Sequence, residues 1–146
     1  MTQRPNLLFI WTDEQRADTL ACYGNEFVRT PNFNRQARRS VVFRNAYCTQ
    51  TVCTPSRSSV MTGLYPHTTG CMANNVPLRP STHTIAEMVA EDYVCAHYGK
   101  WHLGDEVIAQ HGFREWVSIE DMYRPHYTRS EYLDVLSDYH RYLVSQ

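Results

Sequence analysis

The run Leu7-Leu8-Phe9-Ile10-Trp11 is apolar at every position and breaks off at Thr12-Asp13-Glu14-Gln15-Arg16. Unbroken apolarity fits neither a one-sided helical stripe nor a half-wetted strand; it suits a strand covered on both faces, the condition of parallel sheets packed between helices. In such sheets ligands collect beyond the carboxyl ends of the strands. Asp13 and Glu14 fall at that place. An acidic pair there reads either as a solvated loop or as two hard oxygen ligands for a divalent cation.

Two further segments repeat the arrangement. Val41-Val42-Phe43 opens a β-branched stretch to Tyr47 that leads into Cys53-Thr54-Pro55-Ser56-Arg57, and Tyr93 to Tyr98 reads as a third strand ending in Gly99-Lys100-Trp101-His102-Leu103-Gly104. Between them lie helix signals. Thr30-Pro31 is an N-cap with proline at the first helical position. Thr84-Ile85-Ala86-Glu87 is a capping box, with Ile85, Met88 and Val89 as the expected buried stripe of a helix ending near Asp92. Thr128-Arg129-Ser130-Glu131 is a second box, followed by Tyr132, Leu136, Tyr139 and Leu143 at helical spacing. Residues 64–75 are rich in Pro, Gly, Thr and Asn without any period and read as a long loop. Strands alternating with helices predict an α/β fold, a mostly parallel sheet flanked by helices.

Cys53 stands at the start of a short helical pattern with Pro55 two residues on. That places a thiol at a helix N-terminus, where backbone N–H groups and the dipole favour negative charge. The alternative is a small buried cysteine before an ordinary helix. The five cysteines Cys22, Cys48, Cys53, Cys71 and Cys95 show neither a disulfide framework nor the paired spacing of a zinc site, which fits a reducing compartment. A formal net charge of -1 over 146 residues gives no electrostatic footprint for nucleic acid or an anionic membrane. The apolar run at 7–11 is too short for a signal-peptide core or a membrane span, so a cytoplasmic location is expected.

The sequence resembles the amino-terminal part of the type I sulfatases, of the alkaline-phosphatase-like superfamily. Cys53-Thr54-Pro55-Ser56-Arg57 followed by Met61-Thr62-Gly63 fits the signature C-x-P-S-R-x-x-x-[LM]-T-G, and Tyr93 through Gly104, with Gly99-Lys100-Trp101-His102-Leu103-Gly104, fits the second signature. Pro5 to Ile10 followed by Asp13-Glu14-Gln15-Arg16-Ala17-Asp18 fits the strand and metal loop that open these enzymes. The resemblance covers most of the chain.

The resemblance implies a sulfuric ester hydrolase. By the same resemblance Cys53 would be the residue oxidised to formylglycine by a formylglycine-generating enzyme, whose hydrate would attack a small-molecule sulfate ester, displace its alcohol and then release sulfate. It implies a divalent cation, usually calcium, faced by Asp13, Glu14 and the modified Cys53, with Glu14 standing where many members carry a second Asp. The resemblance further implies that Arg57 would hydrogen-bond the formylglycine and the metal ligands, that Lys100 would bridge nucleophile and sulfate oxygen, and that His102 would hold a formylglycine hydroxyl. Asn74 matches a position contacting the ester oxygens, and Asn75 is an equal claimant. Asp92 stands where members usually have glycine.

Family members are several times longer, and their remaining metal ligands and substrate clamp lie in a later part. Residues 1–146 are therefore expected to be the N-terminal portion of a catalytic domain, truncated within it and inactive alone. A phosphonate or phosphate monoester hydrolase of the same superfamily, and a non-catalytic sulfatase fragment, are the competing expectations.

Overall fold

The computed structural model describes residues 4–120 and 122–146, and the chain divides into two compact units, Met1–Ala46 and Tyr47–Gln146.

The first unit holds two 3-10 turns, Ala17–Thr19 and Ala21–Tyr23, and helix α1, Pro31–Ala37. Thr30 is the N-cap residue of α1 and Pro31 its first helical residue, as the dipeptide predicts. Its hydroxyl serves elsewhere, accepting the Ala21 N–H at 3.0 Å and so tying the second turn to the start of the helix. The expected strands at 7–11 and 41–47 are not formed. Leu7, Leu8, Phe9 and Ile10 are 70, 86, 68 and 75% exposed. The physical reason is local: a parallel strand needs a hydrogen-bonded neighbour and cover on both faces, and no described residue of this unit pairs as a strand.

The second unit begins with α2, Cys53–Thr62, continues through α3, Pro66–Thr69, and α4, Ile85–Met88, and then forms β1, Ala96–Gly99, β2, Glu115–Ser118, and α5, Asp138–Val144. Helix α2 stops where Gly63 takes the left-handed conformation at φ 71° and donates its N–H to Ser59 O at 2.8 Å. The loop expected at 64–75 contains α3, one turn opened by Pro66 and closed by Gly70 at φ 84°. The capping box at Thr84 is made, with the Glu87 carboxylate accepting the Thr84 N–H at 2.8 Å. The helix it starts is shorter than expected, and Ile85 and Met88 are 52 and 59% exposed rather than forming a buried stripe.

Strands β1 and β2 pair in parallel, Ala96 opposite Glu115 through Gly99 opposite Ser118. The third predicted strand thus exists but starts at Ala96, and its partner had no sequence signal: Glu-Trp-Val-Ser is four residues long with a charge at its head. Beneath the connection 100–114 lies the core. Trp101 is 1% exposed, and its ring centroid lies 5.4 Å from His97, 5.8 Å from Phe113 and 5.3 Å from Trp116, all edge-on. Burial among these rings lowers the pKa of His97 by disfavouring its charged form.

The expected helix over 128–143 is broken, and the cause is visible. Thr128 gives its N–H and its hydroxyl to the two carboxylate oxygens of Asp105, each at 2.6 Å, instead of capping a helix. A 3-10 turn, Ser130–Tyr132, follows, and the helix restarts as α5 only where Ser137 Oγ accepts the His140 N–H at 3.2 Å. Gly112 closes the connection at φ 82°, and a Cβ added there would meet Glu87 Cγ at 2.6 Å and the backbone at Ala86 and Glu87 at 2.9 Å. Gly112→Ala is expected to lower stability by about 2 kcal/mol, checked by urea denaturation; a loss under about 0.5 kcal/mol would sink the assignment of strain.

Candidate functional site

Helix α2 places Cys53 as its first residue, half-buried, behind the extended N-cap residue Val52. Two of the first backbone positions are already accounted for. Pro55 has no N–H, and the Thr54 N–H goes to Asn74 Oδ1 at 3.0 Å. Asn74, reached by the Gly70 turn, therefore caps the helix that carries the cysteine.

Thr54, with no exposed surface, joins the two signature stretches. Its hydroxyl donates to His102 O at 3.0 Å and accepts the Asn75 N–H at 3.2 Å. One helical turn beyond Cys53, Arg57 is buried at 6% exposure and donates from Nη1 to Lys100 O at 2.6 Å. Helix α2 thus holds the loop after β1 at two carbonyls, those of Lys100 and His102. The sequence alone gives no sign of these bonds, because both acceptors are backbone oxygens.

His102 is 4% exposed and adopts φ 56°. Its ring Nε2 lies 2.8 Å from Asn75 Oδ1, and its face stacks on Tyr123 at 3.7 Å between centroids and 14° between planes. Lys100 Nζ lies 5.5 Å from the centroid of the same tyrosine, within cation–π reach. Glu106, fully buried, accepts the N–H of Trp101 at 3.0 Å on one oxygen and the N–H of His102 on the other. Burial, with repulsion from Glu120, lifts the Glu106 carboxyl to about 7 against the pull of those two amides and Arg57.

Among the predicted site residues, Cys53, Arg57, Asn74, Lys100 and His102 come together in the second unit. Asp13 and Glu14 lie in the first unit, exposed, with Glu14 at φ 50°. Among the described residues no group of three His, Cys, Asp or Glu side chains converges to hold a metal ion. Sequence reasoning missed Thr54, Glu106 and Tyr123. Only Thr54, inside the signature itself, had a signal that could have flagged it.

The sulfatase family profile matches residues 5–143. The chain is 37% identical over 125 residues to an ulvan-active sulfatase of Formosa agariphila, covering 80% of this chain and 24% of that protein. It is 33% identical over 116 residues to an N-acetylglucosamine-6-O-sulfatase of Bacteroides thetaiotaomicron, covering 79% and 20%. In three dimensions it is similar to a protein solved in complex with its substrate D-glucosamine-2-N,6-O-disulfate, with a TM-score of 0.75, 30% identity, and coverage of 83% of this chain and 24% of that one. The chain spans about a quarter of the length of the curated relatives it matches. The two signature stretches, tied to each other through Thr54 and Arg57, and the match over nearly the whole sequence establish that the chain belongs to the sulfatase family.

Proposed function

We propose that this chain carries the nucleophile-bearing part of a sulfuric ester hydrolase site, in which Cys53, converted to formylglycine, attacks the sulfur of a sulfate monoester. The observation that carries the reading is the double tie of Arg57 to Lys100 O at 2.6 Å and of Thr54 to His102 O at 3.0 Å. These bonds tie the backbone of the turn that carries Lys100 and His102 to the helix that begins at Cys53, which supports the reading. A formylglycine hydrate supplies two hydroxyls on one carbon: one would attack sulfur as the S–O ester bond breaks and the alcohol leaves with a proton, and the other would give up its proton as the C–O bond to sulfate breaks, releasing sulfate and restoring the aldehyde. The rest is the work of the chain's own side chains. The α2 dipole and Arg57 favour negative charge where Cys53 stands. Lys100 offsets charge on sulfate oxygens, and His102, fixed at its ring by Asn75 and Tyr123, is placed to hold or pass a proton.

Asp13 and Glu14 are proposed as oxygen ligands for a divalent cation such as calcium, for which two adjacent carboxylates are chemically suited. The substrate class proposed is a small sulfate ester, with sulfated sugars favoured because a structural neighbour was solved with one. Conversion, a two-electron oxidation of the side-chain carbon with loss of the sulfur, requires a formylglycine-generating enzyme as partner and a two-electron oxidant used by that enzyme.

The test is mass spectrometry of the peptide Asn45–Arg57 after co-expression with that enzyme. Replacement of sulfur by oxygen with loss of two hydrogens is expected to lower the mass by about 18 Da at Cys53. A peptide that keeps its thiol under those conditions would overturn the reading. A Cys53→Ala variant, with no thiol to convert, serves as the mass control.

A further inference from the structure

We propose that Glu106 is the positioning residue of this site: its buried carboxylate grips the backbone of the Lys100–His102 turn and so sets the direction in which the His102 imidazole points. The proposal rests on the sulfatase reading for the purpose of that imidazole, while the geometry stands by itself. His102 occupies the left-handed region at φ 56°, which costs an L residue free energy and is kept where its surroundings hold it. Glu106 supplies the hold. One oxygen takes the Trp101 N–H at 3.0 Å, the other takes the His102 N–H, and two successive amides aimed at one anion form a small nest. The carboxylate is in turn fixed through its own main chain, because Glu106 O accepts Trp116 Nε1 at 2.7 Å from the aromatic core.

The consequence follows bond by bond. Among its described partners, His102 is held by Glu106 at its N–H, by the Thr54 hydroxyl at its carbonyl, by Asn75 at its Nε2 and by Tyr123 at its ring face. Three of these partners fix where the residue lies or how its ring is tilted once the backbone is set. Glu106 acts on the backbone dihedral that carries the ring to them. Without the second acceptor, φ at His102 relaxes toward the negative values preferred by L residues, and Cβ swings off the Tyr123 face.

The experiment is solution NMR of the full 146-residue chain with labelled histidine at about pH 8.5, above the value of about 7 to which the Glu106 carboxyl is raised, so that both of its oxygens accept. Stacking at 3.7 Å displaces the His102 ring protons upfield through the tyrosine ring current. Tyr123→Leu identifies the signal by abolishing that displacement. In Glu106→Gln only the amide oxygen can accept, so one N–H of the pair loses its partner. The expected result is loss of most of the upfield displacement at His102, while the Met61 and Leu78 methyl signals of the core stay in place. Glu106→Ala is expected to lose all of it. A His102 ring signal unchanged in Glu106→Gln would overturn the proposal. Global unfolding of both variants would overturn it as well, since Glu106 would then be a residue of the core and not of the turn. Formylglycine formation at Cys53 is read separately by mass, so failure of the sulfatase reading and failure of this one are told apart.

Discussion

Replacing Arg57 by alanine is expected to destabilise the second unit by about 3 kcal/mol, seen as a lower urea midpoint at unchanged slope. The guanidinium is 6% exposed and donates to Lys100 O at 2.6 Å, a short bond from a charged donor. Such bonds contribute about 1.5 to 3 kcal/mol, and the variant further leaves a carbonyl without that donor and loses the packing of the aliphatic stem. The desolvation of a buried cation works against this sum and keeps it from being larger. Arg57→Lys retains the stem and a charge but not the planar fork, and is expected to restore less than half of the loss. A change below about 0.5 kcal/mol in Arg57→Ala would show that the bond does not anchor the loop.

The second large effect is a dependence of stability on pH. The Glu106 carboxyl is raised by burial from 4.5 to about 7, with Glu120 pushing in the same direction and Arg57 and two backbone amides pulling the other way. Between those two values the unfolded chain has released a proton that the folded chain retains. The contribution of Glu106 to stability is therefore fully present below pH 4.5 and falls as pH rises toward about 7, by about 1.4 kcal/mol per unit or about 3 kcal/mol in all. Thermal or urea unfolding of wild type and Glu106→Gln across this range reads it directly. The variant, which cannot ionise, is expected to gain on the wild type steadily as pH rises. Parallel curves for the two proteins would show that Glu106 ionises in the folded state as easily as in the unfolded one.

Much of the site was legible because its chemistry is local in sequence. Cys53 lies at the start of a helix, and Thr84 with Glu87 closes a capping box, since both features depend on residues a turn apart. The strand at Ala96 was found for the same reason. What escaped reading depends on distant partners. The apolar run at Leu7 has the composition of a buried strand, but composition does not supply the neighbour that a strand requires. The box at Thr128 was chemically sound and still failed, because Asp105, 23 residues away in sequence, bonds both its donors. Glu106 looked like any acid in a loop. Its role comes from two amides that every residue possesses, so nothing in its letter distinguishes it.

The parallel pairing of β1 and β2 has one more consequence, concerning how this chain can change. Lys100 follows directly on Gly99, which is matched to Ser118, and Glu106 is tethered to Trp116 on the partner strand. The two strands thus act as a ruler with the site at its end. Sliding the pairing by a single residue would displace Lys100 and His102 by about 3.3 Å and turn every strand side chain to the opposite face. Insertions between Lys100 and Glu106 shift the scale itself. The stretch from Ile108 to His111 lies inside the Glu106–Trp116 tether and is pinned in turn, His111 O accepting the Thr84 hydroxyl at 2.8 Å, so extra length there pulls on the same marks.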